Sequence, residues 1–428
     1  MNFQKAKIVR CGDVLPSLAN LRVLFIVTLV FSQSYALTAS YSGFVNSALW
    51  ILQPTAFAGL FCLLGFTLAR SRARIGLRAF LLRRAKTMLP AFLIAVIGAA
   101  LVLGPLVTTI STRRYLLDSR TWLYLLNLIG WPRFTLPSVF DYNNLSEQVN
   151  SPLWTTPFVM LVLAGLAVGG NSRAARSVPV VIIAIAIALA IGSQSFDLRS
   201  VTPLGFTTRE FQFQLCESLV ASQLGVLAWR YRERVTLDRT IAALFAAMVL
   251  GVALLGAPRV VSTPVVGAML AVPTAYLAVF FAARRLPGRK LAALLQPLLL
   301  GVFLFSFPVQ QIVTLYSRQG LSGGLNFALA LPMVFVLSGL VWTATRRFSP
   351  HGAAAEIELQ NMLSAAPVAG QWDLAGTIED VRDLAGRKAA ALRWQLAEFR
   401  RTSLFWALFI GAILSAFALT YLASIGDG

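Results

Sequence analysis

The residues in this sequence that could do chemistry are few, and most are amides or guanidinium groups. Ser32, Gln33 and Ser34 stand in a row inside the apolar run from Leu21 to Leu37, and Arg22 opens the same run. Arg22 and Gln33 are eleven residues apart. On a helix that is three turns plus about 20°, so the two share a face, about 16 Å apart along the axis. A guanidinium at one end of that face can hold a phosphate bidentately. An amide at the other end can orient a substrate or donate to an oxyanion, but it is no base at neutral pH. Seven more cations follow the next apolar run: Arg70, Arg72, Arg74, Arg78, Arg83, Arg84 and Lys86. They suit an anchor on anionic headgroups, a site for a phosphate-bearing ligand, or both.

Other polar residues occupy apolar surroundings. Gln310 and Gln311 follow Pro308, where they either repair backbone hydrogen bonds freed by the proline or line a polar cavity. Trp154 suits packing or stacking on a ligand. Glu217 lies within an apolar stretch and is a functional candidate by position, unless it pairs with a cation such as Arg209. Asp141 and Glu147 lie in a polar loop, where solvation is their ordinary fate. The single histidine, His351, falls in a polar segment outside the apolar runs. Cys11, Cys62 and Cys216 have no metal or disulfide spacing and read as reduced and structural. There is no Walker loop, dinucleotide fingerprint, zinc spacing or HExxH.

The elements that must position these groups are membrane helices. The chain has 428 residues, 57% hydrophobic and 13% charged, with mean hydropathy +0.73. Apolar runs of the roughly 20 residues needed to span a bilayer recur along it. The spacing predicts spans near 22–40, 46–69, 89–110, 153–169, 177–193, 213–229, 240–256, 265–283, 291–316, 323–343 and 402–423. The net charge of +20 is then topology rather than nucleic-acid binding. The N-terminus and every second loop carry about 29 of the 37 basic residues, which sets the N-terminus in the cytoplasm. The loop at 111–152 includes "TWLYLLNLIGWPRF", too short to cross twice and suited to a buried re-entrant or interfacial segment. Residues 346–401 read as a cytoplasmic segment with an amphipathic helix, either a connector or a docking surface for a protein partner.

Several of these stretches, in order, resemble the acyltransferase-3 family, membrane proteins that move acyl groups from acyl-CoA to sugar hydroxyls of cell-surface glycans. The resemblance rests on Arg22, on "LLGF" with Gly65 and Phe66, and on "FLLRRAKTMLP" with Arg83, Arg84 and Pro90. It continues in "NSPLWTT" with Asn150 and Trp154, and in "FPVQQ" with Gln310 and Gln311. It covers roughly 20–345 within a membrane domain at 1–345, and it implies an all-α polytopic bundle of ten family-like helices, to which 402–428 adds an eleventh and a short tail. By the same resemblance Arg22, Arg83 and Arg84 hold the phosphates of acyl-CoA (acetyl-CoA), with no metal. Asn150, Trp154, Gln310 and Gln311 line the acyl or acceptor cavity. Gln33 stands where the family keeps its catalytic histidine, Val159 where it keeps a glutamate, and Thr87 where it keeps a further arginine.

Two functions follow from the resemblance. One is O-acylation of a polysaccharide or glycolipid by a copy that works without the usual histidine, with Glu217 as a substitute base. The other is a catalytically silent relative that binds lipid, a glycan or lipid-linked glycan, or the donor, within a glycan-assembly complex. The absence of paired broken helices in matching halves argues against a secondary transporter. The basic-inside pattern and the lack of a cleavable signal suit a bacterial inner (cytoplasmic) membrane.

Overall fold

The computed structural model describes residues 9–11, 15–38, 43–169, 174–195, 209–254, 264–317 and 321–346. The amphipathic segment, the eleventh span, His351 and the side chain of Arg209 lie outside the described residues. What is described is a helical bundle with one two-stranded sheet, β1 (Val9–Arg10) paired antiparallel with β2 (Thr236–Leu237). Each of the ten stretches expected between 22 and 343 is helical. These helices are α1 (Leu18–Thr38), α2 (Gly43–Arg74), α3 (Leu77–Gly98), α7 (Thr156–Gly169), α8 (Ala174–Ser195), α9 (Arg209–Arg230), α10 (Arg239–Leu254), α11 (Pro264–Ala282), the pair α12 (Arg289–Leu295) and α13 (Leu299–Tyr316), and α14 (Gly323–Thr345). Six segments are long and apolar enough to cross a membrane: Leu18–Thr38, Ile51–Arg74, Leu77–Val107, Val265–Ala282, Arg289–Tyr316 and Gly323–Thr345. The chain is an all-α integral membrane protein.

The long third span owes its length to an irregularity. α3 runs into a π-helical turn, Ala99–Leu103, and then into α4 (Gly104–Val107). A π turn widens the helix and frees a carbonyl. Here the Tyr115 hydroxyl donates to Ala100 O at 2.7 Å. Tyr115 belongs to α5 (Thr112–Leu117), the first element of a cap spanning 108–150 that also holds α6 (Ser119–Leu123) and a 3-10 turn at Tyr124–Ile129. "TWLYLLNLIG" therefore forms two short helical turns packed on α3 rather than a crossing.

The cap closes one end of the bundle. Three of its non-glycine residues, Ser138, Phe140 and Glu147, have left-handed φ of 50°, 58° and 58°. Such backbone persists only where its surroundings over-determine it. Here Glu147 N donates to Val139 O, Leu136 N to Glu147 O and Asn143 N to Phe140 O, all within 3.0 Å. Glu147 also takes a 2.9 Å ion pair from Arg120. At the opposite end, Ser17 N donates to Ala282 O and Cys11 N to Val235 O, tying the N-terminal segment to the ends of α9 and α11.

The tightest packing joins α2 and α9. A Cβ on Gly65 would lie 2.0 Å from Ser222 O, and one on Gly225 would lie 2.0 Å from Cys62 O. Without a hydrophobic drive between helices in lipid, such backbone approach through small residues is what holds helices together. Gly65→Ala is expected to lower the unfolding midpoint in mild detergent, costing about 1–3 kcal/mol. Gly98→Ala, where a Cβ meets nothing within 4 Å, is expected to be neutral or stabilising. The two variants' thermal melts measure the contrast.

Candidate functional site

Two of the sequence motifs meet at one hydrogen bond. Pro308 lies inside α13 and has no N–H, so the carbonyl of Leu304, four residues earlier, loses its helical partner. Asn150 Nδ2 donates to that carbonyl at 2.8 Å. Asn150 precedes a 3-10 turn at Ser151–Thr155, and α7 begins directly after it. Leu304 lies near the middle of the Arg289–Tyr316 span. The chain from Asn150 to Trp154 thus departs from the α-helix as a 3-10 turn at mid-span depth, buried in protein, which is where irregular backbone is tolerated in a membrane protein. Repair of the proline break is done by Asn150, and the two glutamines that follow Pro308 serve other partners.

Gln310 is fully buried, and its Nε2 donates to Val30 O and to Ser34 Oγ of α1, both at 2.6 Å. Gln311, also fully buried, donates from Nε2 to Leu145 O at 2.9 Å and Gln148 O at 2.8 Å. Its Oε1 accepts from Asn143 Nδ2 at 2.7 Å. One amide therefore fixes α13 to α1 and the other fixes α13 to the cap. Asn144 Nδ2 donates to Leu37 O at the end of α1, so the same cap strand reaches both helices. Asn143, Ser306 and Asn326 of α14 join this network without having been singled out in the sequence. Asn326 Nδ2 donates to Gln310 O at 3.1 Å and to Thr314 Oγ1 at 2.9 Å. The available signal was a polar group, an amide at Asn143 and Asn326 and a hydroxyl at Ser306, interrupting a turn or an apolar helix.

The polar trio in α1 now has a structural explanation. Ser32 Oγ donates to Leu29 O and Ser34 Oγ to Val30 O, the usual back-bonding of helical serines. Gln33 is buried and its Oε1 accepts from Ser306 Oγ at 3.4 Å, a long bond. Trp154 packs among aromatics, edge-on to Phe57 at 5.0 Å between centroids and to Phe158 at 5.7 Å. Phe57 also meets Phe303 of α13 edge-on at 6.2 Å.

The cations gather at the other end of α1. Arg22 Nη2 donates to Thr67 Oγ1 of α2 at 3.0 Å. Arg84, half-buried on α3, is near enough to Arg22 and to Arg83 for mutual repulsion. Its guanidinium stands 5.9 Å from the Phe80 ring. Among the described residues Arg84 has no hydrogen bond or ion pair, and its Nε is buried without a partner. Arg83 is exposed. From Arg84 a cleft of about 360 Å³ runs between α3 and α7 over α13, past Val159 and Thr155 to Phe303 and Leu304. Neither Arg22 nor Gln33 lines it.

Comparison with protein-family models, curated proteins and solved structures finds no match to this chain. The site is therefore judged on its own geometry. Arg22 and Arg84 meet at one end of α1, while Gln33, Gln310, Gln311 and Asn150 gather on and around α13 toward the other. Glu217 is not among them. It sits on α9, which packs against α2, α8 and α11, and its carboxyl is wholly buried with neither oxygen hydrogen-bonded among the described residues. Glu147 is engaged with Arg120 at the rim of the cap, where Asp141 accepts from Thr109 Oγ1 at 2.6 Å. Among the described residues no group of three or more histidine, cysteine, aspartate or glutamate side chains could hold a metal ion.

The cap is also the acid-sensitive part of the site. Asp118 accepts hydrogen bonds from the backbone N–H and the guanidinium of Arg120, which hold its carboxyl below the usual range. A carboxyl depressed on folding contributes stability above its unfolded value, about 3.9, that is lost as pH falls through the folded one. Amide exchange in 111–123 is therefore expected to accelerate below about pH 4, and Asp118→Asn is expected to remove that dependence.

Proposed function

We propose that this chain is an acyltransferase-3-like membrane protein that binds an acyl-CoA donor at Arg22, Arg83 and Arg84. The observation that carries this reading is the approach of Arg22 and Arg84, from two different helices, with no counter-charge among the described residues. Like charges held together in a partly buried place need an anion, and clustered guanidiniums are suited to phosphates. The excess of basic residues at this end of the bundle supports a cytoplasmic setting in a bacterial-type inner membrane, with ten family-like spans and an eleventh at 402–423. The acceptor would be a sugar hydroxyl of a polysaccharide or lipid-linked glycan. Asn150 Oδ1 and Gln310 Oε1, both buried acceptors without a partner, are suited to receive such hydroxyl donors.

A second reading, a catalytically silent relative serving as a binding or structural subunit of a glycan-assembly complex, is favoured by the surroundings of Gln33. Acyl transfer to a hydroxyl needs a proton acceptor or a nucleophile that carries the acyl group. The one side-chain partner of Gln33 among the described residues is Ser306. The amide hydrogens of Gln310 are committed to α1. Replacing imidazole by amide keeps hydrogen bonding and removes base chemistry, so donor binding without turnover is the version of the proposal we favour.

Purified full-length protein is expected to bind coenzyme A and to neither hydrolyse nor transfer from acetyl-CoA. Arg83→Ala combined with Arg84→Ala is expected to weaken coenzyme A binding about 10–100-fold, the loss of charge-assisted contacts worth about 1.5–3 kcal/mol. Unchanged affinity in that variant would remove the donor site. Turnover by the wild type that is abolished by Glu217→Gln or Glu147→Gln would instead establish an enzyme with a carboxylate base.

A further inference from the structure

The cleft between α3 and α7 is more than a passage toward the buried amides. Its walls are mostly apolar, and of the two threonines among them the Thr155 hydroxyl is spent on the backbone by donating to Pro152 O at 2.9 Å. Its mouth is formed by Leu81, Leu89 and Met160, which are 40%, 44% and 39% exposed on the outward face of the bundle. In a helix of the third span that face meets hydrocarbon, so the cleft opens sideways into the bilayer. Along α3 it extends from Leu81 to Phe92, about 16 Å of helix rise. That is about half of a hydrocarbon core of roughly 30 Å, the depth of one leaflet. Arg84 stands at the end nearer the start of α3, without hydrogen bond or ion pair among the described residues.

We propose that this cleft seats one acyl chain of an anionic phospholipid from the adjoining leaflet, with the lipid phosphate on Arg84. The geometry matches such a molecule part by part. The chain fills an apolar slot one leaflet deep, and the phosphate meets a guanidinium that has no hydrogen bond or ion pair among the described residues and is repelled by its neighbours. A neutral or zwitterionic lipid fills the slot equally well but leaves Arg84 less well compensated, so the headgroup charge sets the preference. A soluble anion satisfies Arg84 and leaves the apolar slot empty. The lipid phosphate and the donor phosphates call on the same Arg84 and would compete there, but the lipid is tested in the absence of coenzyme A, so either can fail without the other.

The test is native mass spectrometry of the full chain in mild detergent with equal amounts of phosphatidylglycerol and phosphatidylcholine bearing the same acyl chains. The wild type is expected to retain phosphatidylglycerol at least fivefold over phosphatidylcholine. Arg84→Gln is expected to bring the two near parity. Val159→Trp, which fills the slot, is expected to cut retention of both, with Met160→Trp at the mouth as the substitute if helix content or melting shows that Val159→Trp does not fold. Arg289→Gln, an exposed cation on α12, is expected to leave the preference unchanged. Equal retention of the two lipids by the wild type would overturn the proposal. So would undiminished phosphatidylglycerol retention in the folded slot-filling variant, which marks ordinary annular lipid. A loss in Arg289→Gln as large as in Arg84→Gln would overturn it too, by marking nonspecific surface charge.

Discussion

A backbone carbonyl in a membrane has to find a donor within the protein, and the Leu304 carbonyl is where this constraint organises the molecule. Pro308 removes its helical partner and Asn150 supplies another from a segment more than a hundred residues away in the chain. That single bond holds the 3-10 turn at Ser151–Thr155 at mid-span depth, directly before α7 begins. It also places Trp154 against Phe57, and through it against the aromatic layer that reaches α13. Unsatisfied polar groups at this depth cost several kcal/mol, so the 3-10 turn and the proline break stabilise each other.

Around that bond the remaining amides divide the labour of holding elements in place. Gln310 fastens α13 to α1 beside the polar trio, and Gln311 fastens it to a cap whose own backbone takes three left-handed residues to make its turns. Gln33 is left facing a serine hydroxyl rather than an ionisable group. The charged chemistry is displaced to the other end of α1, where Arg22 and Arg84 meet. The molecule thus separates a cationic end from a buried hydrogen-bonding end, and the cleft from Arg84 to Leu304 runs along the wall between them.

Helix positions were readable in the sequence because hydropathy and length act on each segment alone. α1, α2, α11, the α12–α13 pair and α14 fall within a few residues of the apolar runs that announce them. The start of α3 at Leu77 was not readable, because "LRAFLLRRAKTM" is too basic to look like a span, and its arginines lie along the helix rather than in a loop. Nor was the division of roles among Asn150, Gln310 and Gln311. Residue type shows that an amide in an apolar run needs a partner, but which carbonyl it serves depends on contacts between segments distant in the chain. The isolation of Glu217 on α9 was hidden for the same reason, since one sequence does not show which helices pack around it.

The most direct test of this organisation is a double-mutant cycle between the two motifs, read from unfolding midpoints in mild detergent. Asn150→Leu strands a buried acceptor in the wild-type background, at an expected cost of about 1–3 kcal/mol. In the Pro308→Ala background residue 308 regains an N–H that can bond Leu304 O. There the same substitution is expected to cost less than about 0.5 kcal/mol, the ordinary limit of additivity for uncoupled sites. An equal cost of Asn150→Leu in both backgrounds would show that Asn150 does not serve the carbonyl freed by Pro308, and the central claim would fall.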